Sequence, residues 1–594
     1  MTVPVNVADV YPRPPGLPSH SIPVQQLRQI LWLPLKCQPR FDPAAGPAPH
    51  WTRCTGDPLL APDVAGSVAT QASANDGYAT YLYFHPYIRR FLFDEPRQTD
   101  SNAKAALTIY RLAAPGQAEI LEVVLPEGQR NNVAAAHTQC FRIVRCLLYQ
   151  FSLGVLMLEV ELEWVQAHRG VSSEAGTGEN LALAEALDTL DFLRRTHPAY
   201  FGIGEDKEGT DPAWRETGGR YPLACTVLPA GSAPDPAAAL AKQADRRQSL
   251  QANVLHPARR ADGYATPLGS PWSTLLGPDI ATNCEQIEDD RMPYMAYLAV
   301  PQPHDISRSD WVRLAFADHR GDSSQLPYGA AFLADFEARH CYDRYFDRCV
   351  DWMSTRYLNT GYAFTMVGSS ASQFFNVDGL IHFRRQYACM GLLAQFNKAA
   401  LLVFSSRLSE ATADRSRLGE DAYRERIRAI QRDLLDFSHR YRFEGVSNQL
   451  QATELYRDWS RHLALPELHA AVMAEARAAH DYVISEEERL QTQEERQQTQ
   501  AANRQAFEAT KLNHGALYAA IAGLLLAAMG AGLPFDKPLS LLLGNEPLRF
   551  CWLDCSLNGL RLTALLATFV VGIALFLRWR RKRPVDQSPK DDPT

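Results

Sequence analysis

The feature that most constrains this chain is an uncharged run from Gly515 to Phe535, bounded by His514 and Asp536. Its 21 residues make about 31 Å of α-helix at about 1.5 Å per residue, enough to cross the hydrocarbon core of a bilayer. A second uncharged run, Leu562 to Leu577, has 16 residues and gives about 24 Å. Leu557 and Leu560 extend it when Arg561 snorkels to the interface. Two such runs so close together predict two C-terminal transmembrane helices, the alternative being a pair of helices buried in a soluble core.

Directly after the second run stand Arg578, Trp579, Arg580, Arg581, Lys582 and Arg583. Excess Lys and Arg marks the cytoplasmic side, and Trp favours the membrane edge. The loop between the runs balances Lys537, Arg549 and Arg561 against Asp536, Glu546 and Asp554, so both termini are expected in the cytoplasm. Met1 to Val10 shows no basic segment followed by an apolar core, and nothing there is expected to export the body of the chain. The expected location is the inner (plasma) membrane, multi-pass, with membrane lipid as a partner.

The body reads as ordinary globular protein. With 46% hydrophobic and 21% charged residues and a net charge of -7, disorder, collagen-like repeats and a small disulfide scaffold are excluded, and no nucleic-acid partner is expected. Residues 1–74 are rich in proline, from Pro4 to Pro62, and read as an irregular lead-in. Residues 75–370 are expected to form a cytosolic α/β (or α+β) domain, with strands at Tyr78–Phe84, Ala106–Leu112, Glu119–Leu125, Met292–Val300, Trp311–Ala317 and Tyr357–Val367. Between them Cys140–Phe151 and the return run through Leu156, Leu158, Val160 and Leu162 read as a hairpin turning at Ser152-Leu153-Gly154. Its second strand points Glu159, Glu161 and Glu163 to water. Asn180 to Arg195 has helical spacing at Leu181, Leu183, Ala186, Leu187, Leu190 and Phe192. Residues 227–280 look like a flexible insertion whose Arg246, Arg247, Arg259 and Arg260 either touch anionic lipid or lie in a solvated loop.

From 371 to 512 the chain reads as a helical stalk: Leu380–Leu408, Ala422–Tyr441, Ser447–His462 and a rod from Glu467 to Leu512. Arg384, Arg385, Asn397 and Lys398 argue against a further span in the first of these. Ser485 to Lys511 is polar nearly all round, which suggests a self-associated, coiled-coil-like stalk. The two spans occupy 513–583, and 584–594 form a polar cytoplasmic tail.

No HExxH, GxxxxGK[ST], GxSxG or glycine-rich fingerprint occurs, so no enzyme is expected. His340, Asp343, Asp347 and Asp351 recur at helical spacing. As ligands on one face they would hold a divalent ion; as a solvated face they would pair with Arg344 and Arg348. In the first span Ala519, Gly523, Ala527 and Ala531 form a small-residue stripe, beside Ala520, Ala528 and Gly532. Such a stripe serves close helix packing or, in a ring, lines a pore. Nine of the eleven cysteines lie in the body without CxxC spacing and read as buried thiols. Cys551 and Cys555, placed outside the cytoplasm, can close a disulfide.

A large cytosolic α/β domain, long helices leading to the membrane, two C-terminal spans and both ends inside together resemble the CorA superfamily of divalent-cation transporters. The likeness covers residues 75–583, and Phe437-Ser-His-Arg-Tyr-Arg-Phe-Glu-Gly-Val-Ser-Asn-Gln449 is similar to the membrane-proximal helical region of bacterial CorA-like proteins. The resemblance implies a homopentamer whose first spans line the pore and whose cytosolic funnels sense the ion, with Mg²⁺ or another divalent cation as transported or regulatory ion and no other cofactor. Where the family has Gly-Met-Asn, this chain has Met529-Gly530-Ala531-Gly532-Leu533-Pro534-Phe535, and Gly544-Asn545 lies further on. The expected pore mouth is then Gly530, Gly532, Asp536, Glu546 and Asp554, without the oxygens that hold a hydrated cation. Three readings stand: a divergent cation channel or transporter, a CorA-like membrane effector gated by a cytosolic ligand or partner, and a membrane-anchored scaffold.

Overall fold

A computed structural model describes residues 16–37, 41–45, 50–54, 58–60, 71–93, 106–114, 118–127, 132–165, 181–196, 224–229, 232, 271–288, 291–326, 328–346, 353–530 and scattered positions from 567 to 578. The insertion at 227–280 lies mostly outside them.

After β1 (Pro23–Val24), the proline-rich lead-in supplies β2 (Gln26–Cys37), which correctes the expectation of an irregular segment. Ile30 and Trp32 enter one apolar core, and Leu27, Leu31, Leu33 and Leu35 the other, the period of two of a strand covered on both faces. Pro34 sits inside this strand, where a missing N–H usually breaks a ladder. Here the edge changes partners: residues 26–31 pair with Tyr294–Ala299, and residues 35–37 with Cys284–Gln286. Pro34 falls between them, and its carbonyl accepts from the Ile287 N–H at 3.2 Å.

Next come β3 (Trp51–Arg53), α1 (Gln71–Tyr83) and α2 (Pro86–Leu92). The aromatic run Tyr78–Phe84 is therefore helix rather than strand up to Tyr83. Thr80 Oγ1 donates to the Asp76 carbonyl one turn back, 2.8 Å, and Phe84, Ile88, Phe91 and Leu92 are buried in one core. Packing overrides the strand preference of aromatic residues, which is itself a packing preference.

The chain continues through β4 (Leu107–Leu112), β5 (Ile120–Glu127), β6 (Asn132–Phe151), β7 (Val155–Val165), β8 (Leu181–Ala182), α3 (Leu183–Leu193), β9 (Ala224–Leu228), α4 (Trp272–Leu276), α5 (Pro278–Asn283), β10 (Cys284–Gln286) and β11 (Tyr294–Val300). The β6–β7 hairpin turns at Gly154, whose φ of 80° costs glycine little. Then follow α6 (Arg308–Phe316), α7 (Ala330–His340), β12 (Cys341–Tyr345), β13 (Thr355–Asn359) and β14 (Ala363–Ser369). Trp311–Ala317 was expected as strand. Ser307 instead caps a helix by accepting the Asp310 N–H at 3.1 Å, a start signal that outweighs the apolar run behind it. Tyr357–Val367 is not one strand but the β13–β14 hairpin, turned at Gly361 with φ 87°.

Among the described residues these strands build a 12-stranded sheet ordered β12-β13-β14-β11-β2-β7-β6-β4-β3, with β10 beside β2, β5 beside β6 and β9 beside β5. β11 and β14 run parallel. The helices α3, α4, α5, α6 and α7 contribute to the core on one face.

The other face is covered by α1, α2 and the C-terminal helices. These begin with two π-helical turns, Phe375–Gly379 and Phe383–Tyr387, followed by α8 (Ala388–Ala413), α9 (Glu420–Arg440), α10 (Leu450–His462) and α11 (Leu465–Gly530). Phe375–Ala413 is the one described helix long and apolar enough to cross a membrane, and 89% of its apolar stretch is buried inside the protein, as in a core helix. The chain is thus a mixed α/β protein with a sheet body and long helices. It divides into two compact units, Met1–Glu488 and Arg489–Thr594, and the boundary expected near residue 370 falls inside the first, where α8 and α10 pack on the sheet and α9 packs on α8. Val472, Ala476 and Val483 of α11 are buried in that core. From residue 488 to 527 the side chains of α11 are exposed.

Candidate functional site

The proposed ligand face of His340, Asp343, Asp347 and Asp351 does not form as expected. α7 ends at His340 and the chain continues as β12, with Cys341 and Tyr342 opposite Leu358 and Tyr357, so His340 and Asp343 share no helical face. Asp347 and Asp351 lie outside the described residues. Asp343 accepts a two-pronged contact from Arg356, Nε at 2.7 Å and Nη2 at 3.0 Å. The buried Arg356 guanidinium stacks over Trp311 at 4.8 Å and Phe346 at 5.2 Å. His340 Nδ1 lies 2.8 Å from the Asn359 carbonyl, and its ring rests on His462 with centroids 4.1 Å apart. Burial and the neighbouring His340 push His462 down to about 4, so its ring stays uncharged at neutral pH, and burial lowers His340 as well. Among the described residues no cluster of three or more His, Cys, Asp or Glu could hold a metal ion.

The strongest polar constellation lies elsewhere, on the sheet face beneath the π-helical turns. The register sets Arg28 and Arg142 on either side of Glu163, Ile30 and Arg145 on either side of Glu161, and Trp32 beside Glu159. Arg28, Ile30 and Trp32, like Glu159, Glu161 and Glu163, share one face because alternate residues of a strand do so, and a register shift between Ile143 and Arg145 brings Arg145 to the face of Arg142. Arg28 reaches Glu161 at 3.2 Å and Glu163 at 2.6 Å. Arg142 Nε donates to Glu163 at 3.1 Å, Arg145 Nε to Glu159 at 2.8 Å, and Trp32 Nε1 to Glu159 at 2.9 Å. Glu159 and Glu161, expected in water, are 1% and 0% exposed. The hairpin has no wet face here because helices lie over it.

One member comes from outside the sheet. Arg384, in the second π-helical turn, donates through Nε and Nη2 to both oxygens of Glu161, and its carbonyl accepts from Arg145 Nη2 at 3.1 Å. Burial works against the Glu161 charge, but Arg145, Arg384 and Arg28 outweigh it and hold the carboxyl at about 2. Four guanidinium groups face three carboxylates. A carboxylate so held exchanges no proton near neutral pH, so the arrangement is an electrostatic lock between sheet and helix rather than an acid–base site. The first π-helical turn is seated nearby: Tyr297 donates to the Phe375 carbonyl at 2.8 Å and stacks on its ring at 4.5 Å. Helical turns of this kind are frequent at functional sites.

Sequence reasoning missed this cluster because β2 was read as irregular and the glutamates as solvated. The available signal was Arg384-Arg385 inside an apolar helix together with Arg142 and Arg145 on the partner strand of a glutamate-bearing one.

Of the small-residue stripe, Ala519, Gly523 and Ala527 lie exposed on α11, and a Cβ built on Gly523 meets nothing within 4 Å. Gly530 ends α11. Ala531, Gly532, Asp536, Glu546, Asp554, Cys551 and Cys555 lie outside the described residues. Comparison of this chain with protein-family models, with curated proteins and with solved structures finds no match.

Proposed function

We propose that the chain is a CorA-like integral membrane protein, a homo-oligomer that passes a divalent cation through a C-terminal helical hairpin and carries a large cytosolic sensing body. The observation that carries this reading is α11. Leu517, Tyr518, Ile521, Leu524, Leu525 and Leu526 are all exposed on it. At about 100° per residue these positions cover a little over half of the circumference, and the small residues Ala519, Gly523 and Ala527 occupy the rest, so the helix is apolar all round and belongs in lipid or among copies of itself. The same helix includes the polar stretch 485–511, exposed from 488 onward, which favours a self-associated stalk. The open surface at Gly523 leaves room for a second helix to approach closely. The basic cluster at 578–583 favours cytoplasmic termini.

A second reading, a membrane effector gated by a cytosolic ligand or partner, is favoured by Met529-Gly530-Ala531-Gly532 in place of Gly-Met-Asn. Full-length protein reconstituted in liposomes with a divalent-sensitive dye separates the two. Flux of Mg²⁺, Co²⁺, Ni²⁺ or Zn²⁺ above that of empty liposomes is the expected result. No flux under any divalent gradient refutes the conduit.

A further inference from the structure

Cys37 and Cys284, remote in sequence, are brought face to face by the sheet. Cys37 is the last residue of β2, Cys284 the first of β10, and the antiparallel register sets them directly opposite each other. The Cys37 N–H donates to the Gly154 carbonyl at 3.0 Å, on the other side of the strand. Its backbone groups therefore turn away from β10, and the two cysteines form a pair of the non-hydrogen-bonded kind. Facing Cα atoms in such a pair stand about 4.5 Å apart, inside the roughly 4.4–6.8 Å that a disulfide spans. Both cysteines are free, and both are buried. The flanking pairs Lys36–Glu285 and Leu35–Gln286 continue the register, and Lys36 Nζ lies 3.8 Å from the Glu285 carboxylate.

The two sulfurs are not equivalent. The facing Cys284 thiol and the nearby Arg407 charge favour the Cys37 thiolate despite its burial, whereas the facing Cys37 and burial keep Cys284 protonated. The thiolate is the nucleophile in cysteine chemistry.

We propose that Cys37 and Cys284 form a redox pair that closes reversibly to a cross-strand disulfide, clipping β10 to the central strand β2. With a peroxide as oxidant, the Cys37 thiolate attacks one peroxide oxygen and breaks the O–O bond, becoming a sulfenic acid while the other oxygen leaves as hydroxide and takes up the proton that the Cys37 thiol released, forming water. The Cys284 sulfur, losing its proton, then attacks Cys37 sulfur and expels a second water. Both sulfurs are oxidised and one peroxide is reduced. β10 has three residues and few ladder bonds of its own, so a covalent link changes its attachment more than that of any long strand. Disulfides in reducing compartments are transient and redox-sensing rather than structural, which fits a pair held reduced and aligned.

The test uses full-length protein in mild detergent, reduced with dithiothreitol, desalted and exposed to hydrogen peroxide. Remaining thiols are then blocked with a maleimide in denaturant, and peptides are read by mass spectrometry. A linked Cys37–Cys284 peptide, lost on renewed reduction, is expected. So is an upward shift of the thermal unfolding midpoint on oxidation that Cys284→Ser abolishes. Maleimide on both Cys37 and Cys284 after oxidation, or Cys37 joined to another cysteine instead, overturns the proposal. The wild-type peptide result stands whether or not the variant folds.

Discussion

Replacing Glu161 by glutamine isolates the lock between sheet and π-helical segment. Glutamine keeps the shape of the side chain and one acceptor oxygen but removes the charge that faces Arg28, Arg145 and Arg384. The carboxyl is fully buried and held at about 2 against an ordinary value of 4.5. At about 1.4 kcal/mol for each pH unit this lowering corresponds to about 3 kcal/mol of stability, close to the roughly 3–5 kcal/mol lost when one partner of a buried ion pair is removed. The pH dependence follows from the sign. The folded value lies below the unfolded one, so the contribution is complete above about 4.5 and disappears as pH falls towards about 2. Urea unfolding of the full chain in detergent, followed by near-UV circular dichroism, should give Glu161→Gln a deficit of about 3 kcal/mol at pH 7 that narrows below pH 4.5. A second change, Arg384→Met, should cost less in the Glu161→Gln background than alone, because the two residues are coupled. A variant within about 0.5 kcal/mol of wild type at pH 7, or a deficit of constant size down to pH 3, would refute the reasoning.

Two further outcomes follow from the same face of the sheet and its edge. A Cβ at Gly368 would stand 2.3 Å from the Phe375 ring, which is already stacked on Tyr297, so Gly368→Ala should cost about 1–3 kcal/mol through overpacking; an unchanged thermal midpoint would show that the ring yields freely. His462 is lowered to about 4 by burial first and then by His340, Arg461 and Arg339, with Asp458 also close to His340. Below its ordinary value near 6.5 the unfolded chain takes up a proton that the folded chain refuses, so stability should fall as pH drops from about 6.5 to about 4. His462→Gln should flatten that slope, and an identical slope in the variant would assign it to other groups.

Much of the body is legible in local pattern. The alternation of Leu156, Leu158, Val160 and Leu162 names the strand and the face it buries, and β4, β5, β11, α3 and α8 to α10 lie close to where periodicity puts them. The apolar stretch of α11 and the basic residues after the second uncharged run are equally plain in one dimension. What fails locally fails for one reason. Tyr78–Tyr83 and Trp311–Phe316 carry residues that suit strand and helix alike, and the choice rests on caps and on partners elsewhere in the chain.

The candidate site depended on that long-range information most of all. Glu159 and Glu161 are charged residues on the alternate face of a strand, and taken alone such residues belong in water. They are buried because Arg28 arrives from the neighbouring strand β2, Arg142 and Arg145 from β6, and Arg384 from a helix that covers the sheet, together supplying the counter-charges without which burial would be prohibitive. Cys37 and Cys284 are unremarkable thiols until antiparallel pairing sets them opposite each other. The sequence by itself determined which segments are apolar, which are periodic and where the charges sit; the tertiary structure alone decided which charges are paired and which thiols meet, because pairing is a property of strands and helices brought together across hundreds of residues rather than of any one stretch of chain.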